Sequence, residues 1–218
     1  MIKGAIFDMD GTLLDSMAVW HRLSQGFVEP YGVQITREDY EAVEGGTQLG
    51  VAQYFVARYP EIPMTAEQMV ERMNVLINER YETLAKPKDG VLAFLDALRA
   101  QGVACAIATL TDRAHAEKAL RDRDMLHYFD CMLTIQDIGG SKREPEIYLK
   151  AAAHMGCEAD ECMVFEDAPY AAQTAKNAGF AVCGVIEKAY AAGEPLLRQV
   201  SDLIVERSFD EIHTAIFG

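Results

Sequence analysis

The amino-acid sequence predicts an α/β fold built on a mainly parallel sheet, with an all-helical segment inserted near its start. Three observations carry that prediction. Short apolar runs alternate with amphipathic helical patterns along most of the chain, as expected for strands joined by crossover helices. Several of those runs end in Asp, Glu or Thr. Residues 16–84 break the alternation, with helical patterning and no convincing strand.

The predicted strands are Ala5-Ile6-Phe7, Ala104 to Thr109, Met132-Leu133-Thr134, Met163-Val164-Phe165, Ala181 to Val185 and Leu203-Ile204-Val205. Between them, Val91, Leu92, Phe94, Leu95 and Leu98 share one helical face. Gly102 then stands where a helix-ending glycine should, and Gly179 does the same after Ala171 to Ala178. Ser208-Phe209-Asp210-Glu211 reads as a capping box opening the last helix. Inside the insert, Thr65-Ala66-Glu67-Gln68 is a second capping box, before a helix carrying Met69, Met73, Leu76 and Ile77. Glu44-Gly45-Gly46-Thr47 and Pro60-Glu61-Ile62-Pro63 are loop signals. Trp20, Phe27, Tyr54, Phe55, Met69 and Met73 read as the insert's own core. Hinges are expected near Asp15-Ser16 and at Pro87-Lys88-Asp89-Gly90. The expected domains are a core of residues 1–15 and 85–218 and a helical domain of residues 16–84.

Composition narrows the function. Half of the 218 residues are hydrophobic and a quarter charged, as in ordinary globular proteins. A net charge of −14 speaks against a nucleic-acid partner, since phosphate backbones call for basic patches. An anionic substrate stays possible if a metal ion and a few cations act locally. No apolar run is long enough to span a bilayer, and the N-terminus lacks a signal-peptide pattern. Five cysteines without a CxxC pair read as small core residues in a reducing compartment, so a cytoplasmic location is expected.

The chemistry concentrates at strand ends. Phe7-Asp8-Met9-Asp10-Gly11-Thr12 places two carboxylates just past the first strand, with a turn that can aim backbone N–H groups at an anion. Taken alone, this could be an Asp turn followed by a helix cap. Three further features stand beside it: Thr109 closes an apolar run, Lys142 precedes a helix start at Ser141-Lys142-Arg143-Glu144-Pro145, and Glu166-Asp167 closes the strand at Met163. Each has a bland account as a cap, a solvated cation or a dipole-favoured acidic pair. Their joint occurrence on strand-end loops is harder to dismiss.

In this order the four features resemble the motifs of the haloacid dehalogenase superfamily, and the helical insert resembles the cap of the subgroup that holds β-phosphoglucomutase and many small-metabolite phosphatases. The resemblance covers essentially the whole chain. It implies a Rossmann-like core with a helical cap closing over the site. It further implies that Asp8 is a nucleophile forming an aspartyl-phosphate and that Asp10 is the general acid and base. Mg2+ would be held by Asp8, the Asp10 carbonyl and Asp167, with Glu166 in its shell. Thr109, the N–H of Leu110 and Lys142 would hold phosphate. Two positions depart from the usual pattern: Leu110 stands where Ser or Asn is common, and Arg143 where Pro is common. Solvent is the expected destination of Arg143.

Within that family, Asp10 argues against dehalogenation, because a halide needs no proton to leave. The absence of Lys from residues 16–84 argues against the phosphonate-cleaving branch, which uses a cap lysine. Mutases grip a second phosphate with cap cations. Here residues 16–84 hold five Arg and no Lys against ten acidic residues, a net −5. The expected activity is hydrolysis of a small phosphomonoester, such as a sugar or polyol phosphate. A β-phosphoglucomutase-type mutase is the rival, and a non-catalytic phosphate-binding module is the alternative from another class. His21, Glu44 and Gln48 are the candidate substrate contacts of the insert, with Trp20 beside them. The expected partner is a small phosphorylated metabolite, without nucleic acid or membrane.

Overall fold

The computed structural model describes residues 2–43 and 46–218, apart from the side chains of Val19, His21, Arg22 and Ser24. In chain order the elements are β1 (Gly4–Phe7), β2 (Leu14–Asp15), α1 (Met17–Val28), α2 (Arg37–Val43), α3 (Gln48–Arg58), α4 (Ala66–Leu84), β3 (Lys86–Pro87), α5 (Val91–Ala100), β4 (Ala104–Thr109), α6 (Arg113–Arg121), β5 (Cys131–Thr134), α7 (Ile135–Ile138), α8 (Glu146–His154), β6 (Cys162–Glu166), α9 (Pro169–Asn177), β7 (Ala181–Val185), α10 (Glu194–Val200), β8 (Leu203–Val205) and α11 (His213–Phe217). They fall into two compact units, residues 1–15 with 86–218, and residues 16–85.

The larger unit is the α/β body that the alternation predicts. Its sheet runs β5-β4-β1-β6-β7-β8, with each neighbouring pair parallel. β1 is central, between β4 and β6, and is buried at every position. Side chains alternate between the sheet's faces. On one face Phe7 stacks on its register partner Phe165, with ring centroids 4.3 Å apart, and Phe94 of α5 meets both rings edge-on. On the other, Ile6, Val164, Ala106 and Ala108 pack with Ile147 and Tyr148 of α8 and Ala172 and Ala175 of α9. The small residues there let helices lie close to the sheet. β2 and β3 pair as a short antiparallel ladder, Leu14 opposite Pro87 and Asp15 opposite Lys86, where the chain leaves the sheet body and returns to it.

One local prediction needs correcting. Ser208 Oγ does accept an amide, that of Asp210, but it opens a 3-10 turn over Phe209–Ile212, with α11 only after it. Glu211 does not complete a box. Its carboxylate takes the amides of Glu206 and Arg207 instead, drawn to two donors already exposed by the turn after β8. The capping box at Thr65, by contrast, is present in both directions, and Thr47 caps α3 through the amide of Gly50.

In the helical unit, Phe27, Phe55, Met69, Met73 and Ile77 form a buried core, and Phe27 meets Phe55 edge-on at 5.7 Å. Trp20 and Tyr54 are half-buried at its margin. At the head of α2 a carboxylate ties the loops together. Asp39 is fully buried and accepts from the Thr36 amide and hydroxyl, both at 2.7 Å, from Tyr54 at 2.9 Å and from Tyr59 at 2.6 Å. Burial alone would raise its pKa, but the bonds from Tyr59, Thr36 and Tyr54 outweigh it and hold Asp39 well below the carboxylate range. A depressed folded pKa adds stability that is complete above the unfolded value and is lost as pH falls toward the folded one. Asp39→Ala should therefore cost about 3 kcal/mol at pH 7. In thermal melts the gap from wild type should be narrower at pH 3; an equal gap at both pH values would refute the ionic origin of the effect.

Candidate active site

The sheet sets the site. Thr109 ends β4, Asp8 follows β1, and Glu166 with Asp167 ends β6, so all lie at the carboxyl ends of three adjacent parallel strands. That is where open α/β sheets bind ligands. The Asp8 amide continues the ladder by donating to Phe165 O at 3.0 Å, which fixes the start of the loop. The loop then turns at once: Leu13 and Leu14 amides return to Met9 O, and Gly11 takes φ +86°, a conformation costly for any residue with a Cβ.

Lys142 comes from the opposite side of the site, between α7 and α8. Gly139 ends α7 at φ +65°, and a turn in which Arg143 N donates to Ser141 Oγ and Glu144 N to Ser141 O directs Lys142 inward. Its ammonium is buried, bonded to Asp8 Oδ1 and, at 2.6 Å, to Glu166 Oε1. Ligand oxygens of Asp8, Glu166 and Asp167 all lie within 4.8 Å of one another. Thr12 Oγ1 donates to Asp167 Oδ1 at 3.1 Å. Asp167 Oδ2 and Glu166 Oε2 are buried without a hydrogen-bond partner.

Three carboxylates against one ammonium leave a charge of −2 if all ionise, in a place water barely reaches. Burial pushes the Asp8 carboxyl up to about 8, with Lys142 pulling down and Glu166 and Asp10 pushing further up. Burial, then repulsion from Asp8 and Glu166, lifts Asp167 well above its ordinary value. Burial works against the Lys142 charge, but Asp8 and Glu166 outweigh it and raise its pKa. The orphaned oxygens and the charge deficit fit a divalent cation: Asp8, Asp167 and Glu166 could supply hard oxygen ligands of the kind Mg2+ takes.

The structure also places the remaining predicted residues. Asp10 stands beside the cluster, its Oδ2 accepting from Thr111 Oγ1 at 2.6 Å. Thr109 is buried at the end of β4, and its Oγ1 accepts the Thr111 amide at 3.1 Å. Leu110 lies half-buried just past that strand. Arg143 has its guanidinium 4.6 Å from the centre of the Tyr170 ring, so the aromatic face, rather than solvent alone, receives it. In the insert, Gln48 opens α3 with both amide atoms buried and unpartnered, as is Trp20 Nε1. Glu44 and the His21 side chain lie outside the described residues.

Three contributors escaped sequence reading. Thr111 lies in the bend just past β4, its amide donating to Thr109 Oγ1, and nothing in the sequence distinguishes it from an ordinary loop hydroxyl. Thr12 is legible as a turn residue, but its bond to Asp167 joins positions distant in sequence. Tyr148 donates to Glu166 Oε1 at 2.7 Å, yet it sits on the apolar face of α8 beside Ile147 and Ala151, where only packing is expected.

With the geometry in place, the comparisons converge. The chain belongs to the haloacid dehalogenase-like hydrolase family, whose profile matches residues 5–185. It is similar to the phosphorylated carbohydrates phosphatase of Thermotoga maritima, 27% identical over 178 residues that cover 82% of each chain. It is likewise similar to hexitol phosphatase B of Escherichia coli strain K12, 29% identical over 76% of this chain and 75% of that one. A crystal structure of β-phosphoglucomutase from Clostridium difficile shares the fold, with a TM-score of 0.79, 18% identity and coverage of 98% of this chain and 96% of the other.

The buried acids make metal-free stability depend on pH. Asp8 keeps its proton longer folded than unfolded, so stability falls as pH rises from the ordinary carboxylate value toward 8. In EDTA, Asp8→Asn should melt no lower than wild type, with a gain larger at pH 8 than at pH 5. A variant less stable than wild type at both pH values would contradict this account of the cluster.

Proposed function

We propose that the protein is a magnesium-dependent phosphatase that hydrolyses a small phosphomonoester, a sugar or polyol phosphate, through an aspartyl-phosphate on Asp8. The observation that carries the reading is the buried cluster of Asp8, Lys142, Glu166 and Asp167, with Asp10 beside it on the bond from Thr111. The names of the two phosphatase relatives support the substrate class.

Asp8 attacks phosphorus, the bond to the ester oxygen breaks, and Asp10 gives its proton to the departing alkoxide. Asp10 then takes a proton from water as that water attacks phosphorus, and the bond to Asp8 breaks to release inorganic phosphate. Lys142 tethers Asp8 and offsets charge on the phosphate oxygens, with Thr109 and the Leu110 N–H as further donors. Asp8, the Asp10 carbonyl and Asp167 would hold Mg2+, with Glu166 completing its surroundings. When bound, Mg2+ neutralises charge on the transferring phosphoryl group. Gln48 is a candidate substrate contact of the helical unit, its amide able to donate and to accept. Trp20, His21 and Glu44 stand as further candidates of the same unit.

A dead phosphate-binding module would have no need of the full acid, base and ammonium set. A mutase must hold a second phosphate, and the net −5 of residues 16–84 works against that.

Two measurements decide the reading. On a polyol phosphate with Mg2+, Asp8→Asn should release no phosphate. Asp10→Ala should lose far more activity on that substrate than in the first step with p-nitrophenyl phosphate, whose leaving group needs no proton; about 10²-fold or more is the expected contribution of the acid. Near-wild-type turnover in either variant on the polyol phosphate would reject its assigned role. The second measurement supplies β-glucose 1-phosphate with a trace of the 1,6-bisphosphate. Phosphate release without bisphosphate stimulation is expected, and fast conversion to glucose 6-phosphate in its place would establish the mutase.

A further inference from the structure

Tyr148 is completely buried in α8, and its hydroxyl is the only atom of its side chain able to hydrogen-bond. That hydroxyl donates to Glu166 Oε1 at 2.7 Å, and Lys142 Nζ donates to the same oxygen at 2.6 Å. Glu166 Oε2 is left buried and without a partner. An ionised carboxylate only accepts, and an uncompensated buried oxygen is costly. The two donors could have been split between its two oxygens. Both instead crowd onto Oε1, while a ligand oxygen of Glu166 stays within 4.8 Å of those of Asp8 and Asp167. Asp167 repeats the pattern: Thr12 occupies Oδ1, and Oδ2 is buried and unpartnered. The Tyr148 ring cannot swing away. It packs edge-on against Phe180 at 6.2 Å, within the tightly filled sheet–helix layer.

We propose that Tyr148 is a positioning residue of the metal centre. By occupying Oε1 it fixes the plane of the Glu166 carboxylate and presents Oε2 to the cation that Asp8 and Asp167 bind. It also shares the charge of Glu166 with Lys142, so the ammonium is not drawn wholly onto Glu166 and remains on Asp8. The inference rests on the reading of this cluster as a Mg2+ site, and it extends that reading to a residue that touches neither metal nor substrate. Partners of this kind that orient metal ligands typically alter affinity 10- to 100-fold when removed.

Calorimetric titration of Mg2+ into the substrate-free protein tests it, with wild type, Tyr148→Phe, Glu166→Gln, Asp167→Ala and the Tyr148→Phe/Glu166→Gln pair compared. Tyr148→Phe keeps the ring and removes the donor; it should weaken Mg2+ binding about tenfold or more. In the Glu166→Gln background the same change should have no further effect, because Tyr148 acts only through that carboxylate. A folded Tyr148→Phe protein with wild-type Mg2+ affinity, or an equal loss in both backgrounds, overturns the proposal and leaves Tyr148 as a packing residue. Asp167→Ala binding Mg2+ as tightly as wild type would remove the metal assignment itself, and the proposal with it. Should Tyr148→Phe not fold, 3-fluorotyrosine placed at position 148 retains the hydroxyl. Its 19F signal should then move with Mg2+ along the calorimetric curve, and an unmoved signal overturns the proposal.

Discussion

Everything in the α/β unit answers to the burial of like charge. Asp8, Glu166 and Asp167 are brought together at the ends of adjacent strands, shielded from water, with Lys142 as the ammonium bonded among them. Isolated buried charges cost several kcal/mol each, so this arrangement stands only if rigid surroundings hold it and donors offset it. β1 supplies rigidity by lying between two parallel neighbours, with the Phe7–Phe165 stack beneath the site. Thr12, Tyr148 and Lys142 supply the donors. What they leave uncompensated, Glu166 Oε2 and Asp167 Oδ2, is what a bound cation would satisfy. The same like-charge burial that weakens the fold is what a bound cation would relieve.

Much of this was open to reading from the residues alone. The sheet order could not be read, but the strands could, because β1, β4 and β6 are buried on both faces and therefore appear as continuous apolar runs. Asp8, Asp10, Thr109 and the Glu166-Asp167 pair stand out because charged or hydroxyl residues end such runs, whereas Lys142 stands out as a cation just before a helix start. Residues that act through others were not legible. Tyr148 lies 18 positions from Glu166, and Thr111 lies 101 from Asp10; their hydrogen bonds exist only once the crossovers are folded. The box read at Thr65 forms and the one read at Ser208 does not, for a local reason. Gln68 has only its own helix start to serve, whereas Glu211 meets two competing amides upstream.

The helical unit solves a smaller version of the same problem by other means. Asp39 is as buried as the acids of the site, yet four donors fill its oxygens and Arg58 stands 3.9 Å away. Its pKa falls where those of Asp8 and Asp167 rise. The contrast separates the two kinds of buried carboxylate by the donors that reach them, without appeal to sequence motifs. One buried acid is satisfied and ties loops together; the others are left partly unsatisfied beside one another.

Fold similarity cannot choose between hydrolysis and phosphoryl return, since a β-phosphoglucomutase shares this fold at a TM-score of 0.79. Charge within residues 16–84 bears on the choice more directly. Arg37 faces Glu41 at 2.7 Å, and Arg58 faces Asp39. A guanidinium already engaged with a carboxylate of its own unit has less field left for a second phosphate, and recruiting it would expose the acid it serves. For Arg58 that acid is the buried Asp39, so its recruitment would work against the loops that Asp39 ties. Two of the insert's five arginines are thus paired with acids of the same unit, so its acidic balance is partly built into its structure.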